Sequence, residues 1–288
     1  RGLAMGGAMV AGPFDGTAAY WNPAGLTRLS GRTVSAMHAE TFGSLLNHDF
    51  VAYTERRTNP EARLLAYGFY LYYLGGGGIK ITGQDPTTDR FYVLREESHA
   101  DVLLAGSIAG RLGDKLDFGL TAKIIHRDLG TETGKGLTLD IGLLYQAHPN
   151  VQLGLAVIDA TSGFIRYNGA TFDQGSHTES IYPTVKPGIM ARRQHHDFVG
   201  LMTISGDIKF ENLDQAAQWY SGSVSLDSHI GWEIGYKNVV FGRAGFDMGR
   251  LTAGAGFVLG PMTLDLAYLH HSELDATYRV SGSYRWGN

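Results

Sequence analysis

The feature that most constrains this chain is the strict alternation of apolar and polar residues through most of its length. In residues 116–124, LDFGLTAKI, every second side chain is apolar, and the positions between them include Asp117 and Lys123. Side chains of a β-strand alternate between two faces with this period, whereas a helix repeats every 3.6 residues. The same pattern recurs in residues 136–145, GLTLDIGLLY, and in most later segments. The chain is therefore predicted to be all-β.

Fourteen segments carry the alternation, and most are about ten residues long. They span residues 32–40, 48–57, 62–74, 98–112, 116–128, 136–147, 151–165, 182–194, 198–210, 228–237, 239–247, 249–259, 262–271 and 277–287. Strands of globular proteins usually have about 5 to 6 residues, whereas a tilted strand that crosses a bilayer needs about 9 to 11. An even number of such strands predicts a 14-stranded antiparallel transmembrane β-barrel. A soluble β-sandwich, the alternative, predicts shorter strands.

The connections between these segments differ in length on a regular plan. Those after even-numbered segments are short and rich in turn residues, such as GDK and HPN. Those after odd-numbered segments include the longest ones, at residues 75–97, 166–181 and 211–227, although the gaps at 248 and 272–276 are short. Short turns on one rim and long loops on the other are typical of outer-membrane barrels.

Composition excludes several classes of protein. The net charge of −4 provides no basic face for nucleic acid, and the absence of cysteine excludes disulfides, thiol nucleophiles and cysteine metal sites. No apolar run reaches the roughly 18 residues of a transmembrane helix. The chain begins at Arg1 and not at Met, as expected of a processed or trimmed chain, so the lack of a signal-peptide pattern does not decide its location.

Residues 1–31 show neither period and precede the first predicted strand. Fourteen strands enclose more space than their own side chains can fill. We therefore expect residues 1–31 to fold back as a hatch inside the lumen, and residues 32–288 to form the barrel. The glycine and alanine content of this segment suits close packing against a wall, and Asn22 precedes the fixed dihedral of Pro23 in a turn.

The run LAMGGAMVAGPFDGTAAYWNPAGLTRL resembles the N-terminus of the FadL-like outer-membrane proteins, most closely that of the small PorV/PorQ-type branch. The C-terminal third, from GWEIGYKN to SGSYRW, is similar to the same branch. The resemblance implies a barrel in the outer membrane of a Gram-negative-type bacterium with both termini in the periplasm, and it makes Asn22, Pro23 and Ala24 the hatch motif. The long-chain fatty-acid transporters of this superfamily are longer, so their ligand-binding residues cannot be mapped onto this chain.

Charged residues on the polar faces are expected to line the lumen. The set is Asp140, Asp207, Glu233, Arg243, Asp265, Arg279 and Arg285. Charges inside a barrel are costly unless they are hydrated or paired, and mixed signs favour cross-strand pairs or a wet interior. Two interpretations remain open: a salt-bridged lumen that holds barrel and hatch together, or a selective pore or substrate path.

The first functional hypothesis, by analogy with the FadL-like group, is passage of small hydrophobic molecules across the outer membrane. The third predicted strand is apolar on both faces and ends in four glycines. Its candidate inward face, Leu65, Tyr67, Phe69 and Leu71, is expected to form a ligand pocket against the hatch, and a gap where this strand leaves its neighbours would let a ligand exit sideways. The alternative for this face is packing on the hatch with no ligand.

The second hypothesis is an accessory or scaffold barrel, as in the PorV/PorQ-type proteins, that binds a secretion or cell-surface complex through its long loops. Trp219 and Tyr220 are the candidate partner contacts. We expect outer-membrane lipid as a further partner, and no enzyme activity, cofactor or metal. The pairs His195–His196 and His270–His271 are adjacent in sequence. Because adjacent strand residues point to opposite faces, neither pair is expected to bind one metal ion.

Overall fold

The computed structural model describes residues 1–41, 45–57, 62–130, 132–169, 177–271 and 276–287. Its strands are β1 (Arg32–Thr41), β2 (Leu46–Arg56), β3 (Leu64–Gln84), β4 (Phe91–Leu112), β5 (Leu116–Asp128), β6 (Glu132–His148), β7 (Val151–Ile158), β8 (Phe164–Gly169), β9 (His177–Ser180), β10 (Thr184–His195), β11 (Phe198–Lys209), β12 (Trp219–Ser221), β13 (Val224–Tyr236), β14 (Val240–Asp247), β15 (Arg250–Leu259), β16 (Met262–Leu269) and β17 (Thr277–Trp286). None of the helices in these ranges is long and apolar enough to cross a membrane.

Fourteen of these strands form a closed antiparallel barrel, which confirms the predicted fold. The wall is closed because β1 pairs with β2 on one side and with β17 on the other. Strands β7 and β10 are neighbours in the wall, as are β11 and β13. The short strands β8, β9 and β12 attach to the ends of this wall and lie outside its closed circuit.

The alternating pattern places apolar residues outside and polar or small residues inside. In β6, Leu137, Leu139 and Ile141 are exposed on the outer surface, and Thr138 and Asp140 between them are buried. This arrangement is the one expected where the outer face meets lipid and the inner face meets a filled lumen.

The two rims differ as the connection lengths predict. One rim carries the turns after β2, β4, β6, β10, β13 and β15, together with the start of β1 and the end of β17, where Arg32 lies opposite Trp286. We call it the short-turn rim. The opposite, long-loop rim carries β8, β9, β12 and a protruding ribbon formed by β3 and β4.

The ribbon corrects one prediction, because residues 75–97 are not a loop. Strand β3 continues through Gly75–Gly78 to Gln84, which pairs with Phe91 of β4. β-branched and aromatic residues follow the glycines and favour the extended pairing. The turn is closed by Asp85, whose backbone N–H donates to the Arg90 carbonyl at 2.9 Å and whose side chain accepts from the Thr87 N–H at 2.7 Å.

A second correction concerns the predicted strand 151–165, which is two strands. Strand β7 ends at Ile158 because Asp159 and Ser162 adopt left-handed backbone conformations, with φ of 56° and 49°. An L-residue in this region interrupts a strand. The chain therefore turns away from the wall before β8 begins.

Residues 1–31, which we call the N-terminal segment, lie inside the barrel. They contain a 3₁₀ turn at Leu3–Met5, the short helix α1 (Ala18–Trp21) and a second 3₁₀ stretch at Pro23–Arg28. The segment packs its buried residues, including Ala18 and Leu26, against Phe50 and Tyr70 on the inner faces of β2 and β3. The hydrophobic core of the molecule is thus formed between the N-terminal segment and the wall.

Candidate functional site

The N-terminal segment meets the wall at inward-facing glycines. A Cβ atom added to Gly142 would overlap the Asn22 side chain, and one added to Gly154 would overlap the Val10 backbone. Similar overlaps with the segment would arise at Gly119, Gly231, Gly245 and Gly254. Since glycine has no Cβ, it allows this close approach of two backbones. The segment is therefore fitted to one position against β5, β6, β7, β13, β14 and β15.

Side chains of the wall also bind the backbone of the segment. Thr203 on β11 donates its hydroxyl to the Ala8 carbonyl at 2.7 Å, and Gln152 on β7 donates to the Ala11 carbonyl at 2.9 Å. These hydrogen bonds satisfy buried backbone carbonyls of the segment that are not hydrogen-bonded within a helix or a sheet. They fix the irregular part of the segment to the wall.

The predicted motif Asn22, Pro23 and Ala24 lies where the segment meets β5 and β6. Asn22 is fully buried, and its Nδ2 donates to the Val10 carbonyl at 2.8 Å and to the Leu143 carbonyl of β6 at 3.2 Å. Its Oδ1 accepts from the Ala24 N–H at 3.1 Å, which caps the 3₁₀ stretch that Pro23 begins. Asn22 therefore connects two parts of the segment to the wall.

We expect Asn22→Leu to loosen the segment, because it leaves the buried Val10 carbonyl and the buried Ala24 N–H without the Asn22 side chain, at a cost of about 1 to 3 kcal/mol. Limited trypsin cleavage after Arg28 in the folded protein measures this loosening, and it should become faster in the variant. Asn150→Leu, in the exposed turn between β6 and β7, is the matched control. Equal cleavage rates in the two variants would contradict the role given to Asn22.

On the other side of the lumen, the segment leaves a cavity of about 440 Å³ against β16, β17, β1 and β2. One part of its lining is aromatic and apolar: Phe14, Tyr20, Trp21, Met37, Phe50 and Tyr72. Tyr20 stacks on Tyr72 with ring centroids 6.2 Å apart and meets Trp21 edge to face at 5.0 Å. The cavity thus offers an aromatic surface to a small molecule.

The opposite part of the lining carries small hydroxyl side chains. Ser35 on β1 lies opposite Ser283 on β17, which lies opposite Thr263 on β16, so that three hydroxyl residues form a row across the wall. Thr33 and Ser281 extend this surface. The Ser35 hydroxyl is buried without a hydrogen-bond partner. The cavity is therefore amphipathic.

All seven predicted lumen charges lie on inward faces, and most are paired. The Arg243 side chain is 2% exposed. Its guanidinium nitrogens lie 2.5 Å from a carboxylate oxygen of Glu233 and 2.5 Å from one of Asp265. Asp140 pairs with Lys123, and Asp207 with Lys186, both at 2.6 Å. Arg279 and Arg285 line the cavity. Five of the seven charges thus form ion pairs and two line the cavity, and the choice between the two interpretations stays a prediction.

One carboxylate of the N-terminal segment also lines the cavity. Asp15 accepts hydrogen bonds from the Thr17 N–H at 2.8 Å and from the Thr17 hydroxyl at 2.6 Å, which hold its carboxylate in place.

Comparison with known proteins supports the architecture. No family model and no curated protein sequence matches the chain. Among solved structures, it is similar to the CymD monoaromatic hydrocarbon channel, with a TM-score of 0.65 and 13% identity over 100% of this chain and 97% of that one. The chain has the fold of the FadL-like channels.

Two more structures share this FadL-like fold. The toluene transporter TodX of Pseudomonas putida has a TM-score of 0.61 and 12% identity, covering 100% of this chain and 98% of that one. A FadL homologue of Pseudomonas aeruginosa has a TM-score of 0.53 and 11% identity, covering 99% and 98%. None of the three is a PorV/PorQ-type protein, so that finer assignment stays a prediction.

The prediction for the third strand of this FadL-like barrel is wrong in its choice of face. Phe69 and Leu71 are 55% and 41% exposed on the outer surface, and Tyr67 binds Glu55 there at 2.6 Å. Leu65 is buried beside a bulge at the short-turn rim and does not line the cavity. The inward face is the alternate one, with Tyr72 in the cavity lining. Both faces of this strand are apolar, so alternation alone cannot choose between them.

The expected gap beside the third strand is also absent from the paired wall. On one side, β3 pairs with β2 without interruption, from Ala66 opposite Arg56 to Gly75 opposite Asn47. On the other side, it pairs with β4 from Ala66 opposite Ala109 to Gly76 opposite His99. Register shifts occur only beyond these limits, at Leu64–Ala66 and in the ribbon after Gly76. The wall is closed over the height of the cavity on this side.

The predicted partner contacts lie far from the cavity lining in the fold. Trp219 and Tyr220 belong to β12 on the long-loop rim and are 55% and 45% exposed. They do not contribute to the cavity.

Proposed function

We propose that this FadL-like barrel lets small hydrophobic molecules pass through an outer membrane, along the cavity between the N-terminal segment and the wall. The observation that carries the proposal is the aromatic lining of a cavity of about 440 Å³ between the N-terminal segment and the wall. The segment acts as a hatch, because it blocks free diffusion through the rest of the lumen. The apolar outer face supports a membrane location, with the short-turn rim and both ends of the chain on the periplasmic side.

The route follows from the extent of the cavity. Its lining reaches from His48 and Tyr72, toward the long-loop rim, to Ser30, Thr263 and Arg285 at the short-turn rim. The strands that border it are continuously paired, β1 with β17 from Arg32–Trp286 to Glu40–Tyr278. We therefore propose passage along the inside of β16, β17 and β1 in place of the sideways exit expected from the sequence.

The neighbouring structures supply a substrate size for the test. One is described as a monoaromatic hydrocarbon channel and another as a toluene transporter. A single aromatic ring suits a cavity at the lower end of the roughly 300 to 1,000 Å³ range of ligand sites. Toluene is accordingly the first probe.

We expect Ser281→Trp to slow toluene entry at least about tenfold, because the indole would fill the cavity, while Val280→Trp would leave it unchanged. Ser281 lines the cavity, whereas Val280, one residue earlier on β17, faces outward. Toluene flux into vesicles with a lipopolysaccharide outer leaflet, which hydrocarbons cross slowly, gives the measurement, with equal amounts of folded barrel and with barrel-free vesicles as the blank. Equal toluene flux through both variants would contradict the proposed route. Absence of toluene flux through the unsubstituted protein would contradict it as well.

The accessory-barrel hypothesis remains the second candidate because Trp219 and Tyr220 are exposed together on the long-loop rim. The aromatic cavity favours the transport function over the accessory role. Co-purification of a large partner from native membranes, lost in a Trp219→Ala/Tyr220→Ala variant, would support the accessory role.

A further inference from the structure

Arg279 is a cation inside the barrel that has no partner among the described residues. No described carboxylate lies within 4.0 Å of its guanidinium, and its Nε is buried without a hydrogen bond. Three other arginines of the cavity lining are paired: Arg1 and Arg243 with Glu233, and Arg28 with Asp117. Arg285 has no ion pair among the described residues, but it is exposed at the short-turn rim. Arg279 is half-buried, and a charge removed from water is costly unless it is paired, so it stands apart from the ion-pair network.

The register of the wall explains why Arg279 is left unpaired. Its cross-strand neighbours are Ala39 on β1 and Ala267 on β16, and neither has a side chain that can accept a hydrogen bond. By contrast, Arg243 lies directly opposite Glu233 in the pairing of β13 and β14. Small neighbours on both sides leave the Arg279 guanidinium open toward the cavity that it lines.

The same cavity lining carries aromatic rings beside this cation. Arg279 interacts electrostatically with the phenols of Tyr20 and Tyr72 and with the carboxylate of Asp247. Tyr20 and Tyr72 form the stacked pair of the cavity lining, and Phe50 packs edge to face against Tyr20 with ring centroids 6.0 Å apart. A fixed positive charge thus lies in the same cavity as an aromatic surface.

We propose that the cavity binds a small aromatic carboxylate, with the carboxylate on Arg279 and the ring against Tyr20 and Tyr72. A carboxylate matches the forked donors of a guanidinium in two parallel hydrogen bonds. A neutral hydrocarbon of the same size leaves Arg279 desolvated and unpaired, and a site with an unpaired buried donor discriminates against such a ligand. This inference rests on the proposed function and specifies the chemical class of its ligand.

The test uses the full chain in detergent and radiolabelled benzoate at pH 7. Arg279→Gln should weaken benzoate binding at least about tenfold, since a charge-assisted hydrogen bond contributes about 1.5 to 3 kcal/mol. Arg279→Lys keeps the charge without the fork and should retain part of the affinity. Arg193→Gln, on the exposed outer face of β10, is the matched control and should bind benzoate like the unsubstituted protein.

Resistance of each variant to unfolding in SDS before heating verifies that the barrel is folded. Removal of an unpaired charge is not expected to reduce this resistance. Equal benzoate affinity in the unsubstituted and Arg279→Gln proteins would overturn the inference. Acetate or inorganic phosphate binding as tightly as benzoate would also overturn it, because the ring would then contribute nothing.

Two ligands distinguish this inference from the proposed function. If the unsubstituted protein carries toluene but does not bind benzoate, the assignment of an aromatic carboxylate fails and hydrophobic transport stands. If it neither carries toluene nor binds benzoate, both fail.

Discussion

Replacing Gly142 and Gly154 together by valine is expected to release the N-terminal segment from the wall while the barrel stays closed. The new Cβ atoms would occupy the positions of the Asn22 side chain and the Val10 backbone. Neither neighbour is the flexible end of a long side chain, so the segment must move away. Overpacking costs about 1 to 3 kcal/mol at each site, and two sites in one contact surface give about 2 to 6 kcal/mol if their effects add.

Two measurements follow the release. Single-channel recording in planar bilayers should show a steady open conductance where the unsubstituted protein shows little, and trypsin should cleave rapidly after Arg28. The matched control is Gly200→Val with Gly242→Val, two wall glycines with no other atoms near the added Cβ. An unchanged conductance and cleavage rate in the Gly142→Val/Gly154→Val protein would show that the segment is not held by this fit.

The second large effect is expected from Arg243→Leu, which should destabilise the whole barrel. Glu233 would keep only Arg1, whose Nε donates to it at 2.9 Å, and Asp265 would lose its partner among the described residues. Removing one member of a buried ion pair costs about 3 to 5 kcal/mol, because an uncompensated charge remains.

The loss of stability is measured by heating the protein in SDS and finding the midpoint temperature at which its gel mobility changes from that of the folded to that of the unfolded barrel. We expect this midpoint to decrease by about 10 °C. Adding Asp265→Asn to Arg243→Leu should recover part of the loss, since the uncompensated carboxylate of Asp265 is then removed while Glu233 keeps Arg1. Lys237→Leu removes one member of an exposed pair, Lys237–Asp197, and should change the midpoint little. A midpoint equal to that of the unsubstituted protein would show that the Arg243 network contributes no stability.

The alternating pattern predicts the barrel because each strand of a membrane barrel needs one apolar face toward lipid and one polar or small-residue face toward the lumen. The alternation in the sequence is a direct record of those two faces. The same reasoning placed Asp140, Arg243 and Arg279 on inward faces. It failed at residues 159–163, DATSG, where the predicted strand was continued across turn-forming residues, whereas the left-handed backbone conformation of Asp159 ends β7. It also failed at Gly75–Gly78, because glycine in a paired ribbon and glycine in a loop look alike in a sequence.

The candidate site was predicted less well, for two physical reasons. The cavity forms between the N-terminal segment and the wall, and no periodicity records how residues 1–31 fold. Apolar residues on both faces of the third strand then left its inward face undetermined, and Phe69 was chosen where Tyr72 lies in the cavity. A usable signal was present in β2, whose inward face carries Phe50 and Ala52 where most other strands carry polar residues. Inward glycines such as Gly119 and Gly142 on adjacent strands gave a second signal.

The contacts of the N-terminal segment have a consequence for the order of events in folding. Arg1 binds Glu233, and the Ala4 carbonyl accepts from Thr252, across 232 and 248 residues of chain. The segment leads into β1, which closes the wall only when it pairs with β17 at the other end of the sequence. Contacts of such long range are slow to form, because loop-closure entropy must be overcome first. The N-terminal segment is thus among the last parts of the chain to reach its final position, and until then its glycine-rich apolar residues must be kept from binding elsewhere.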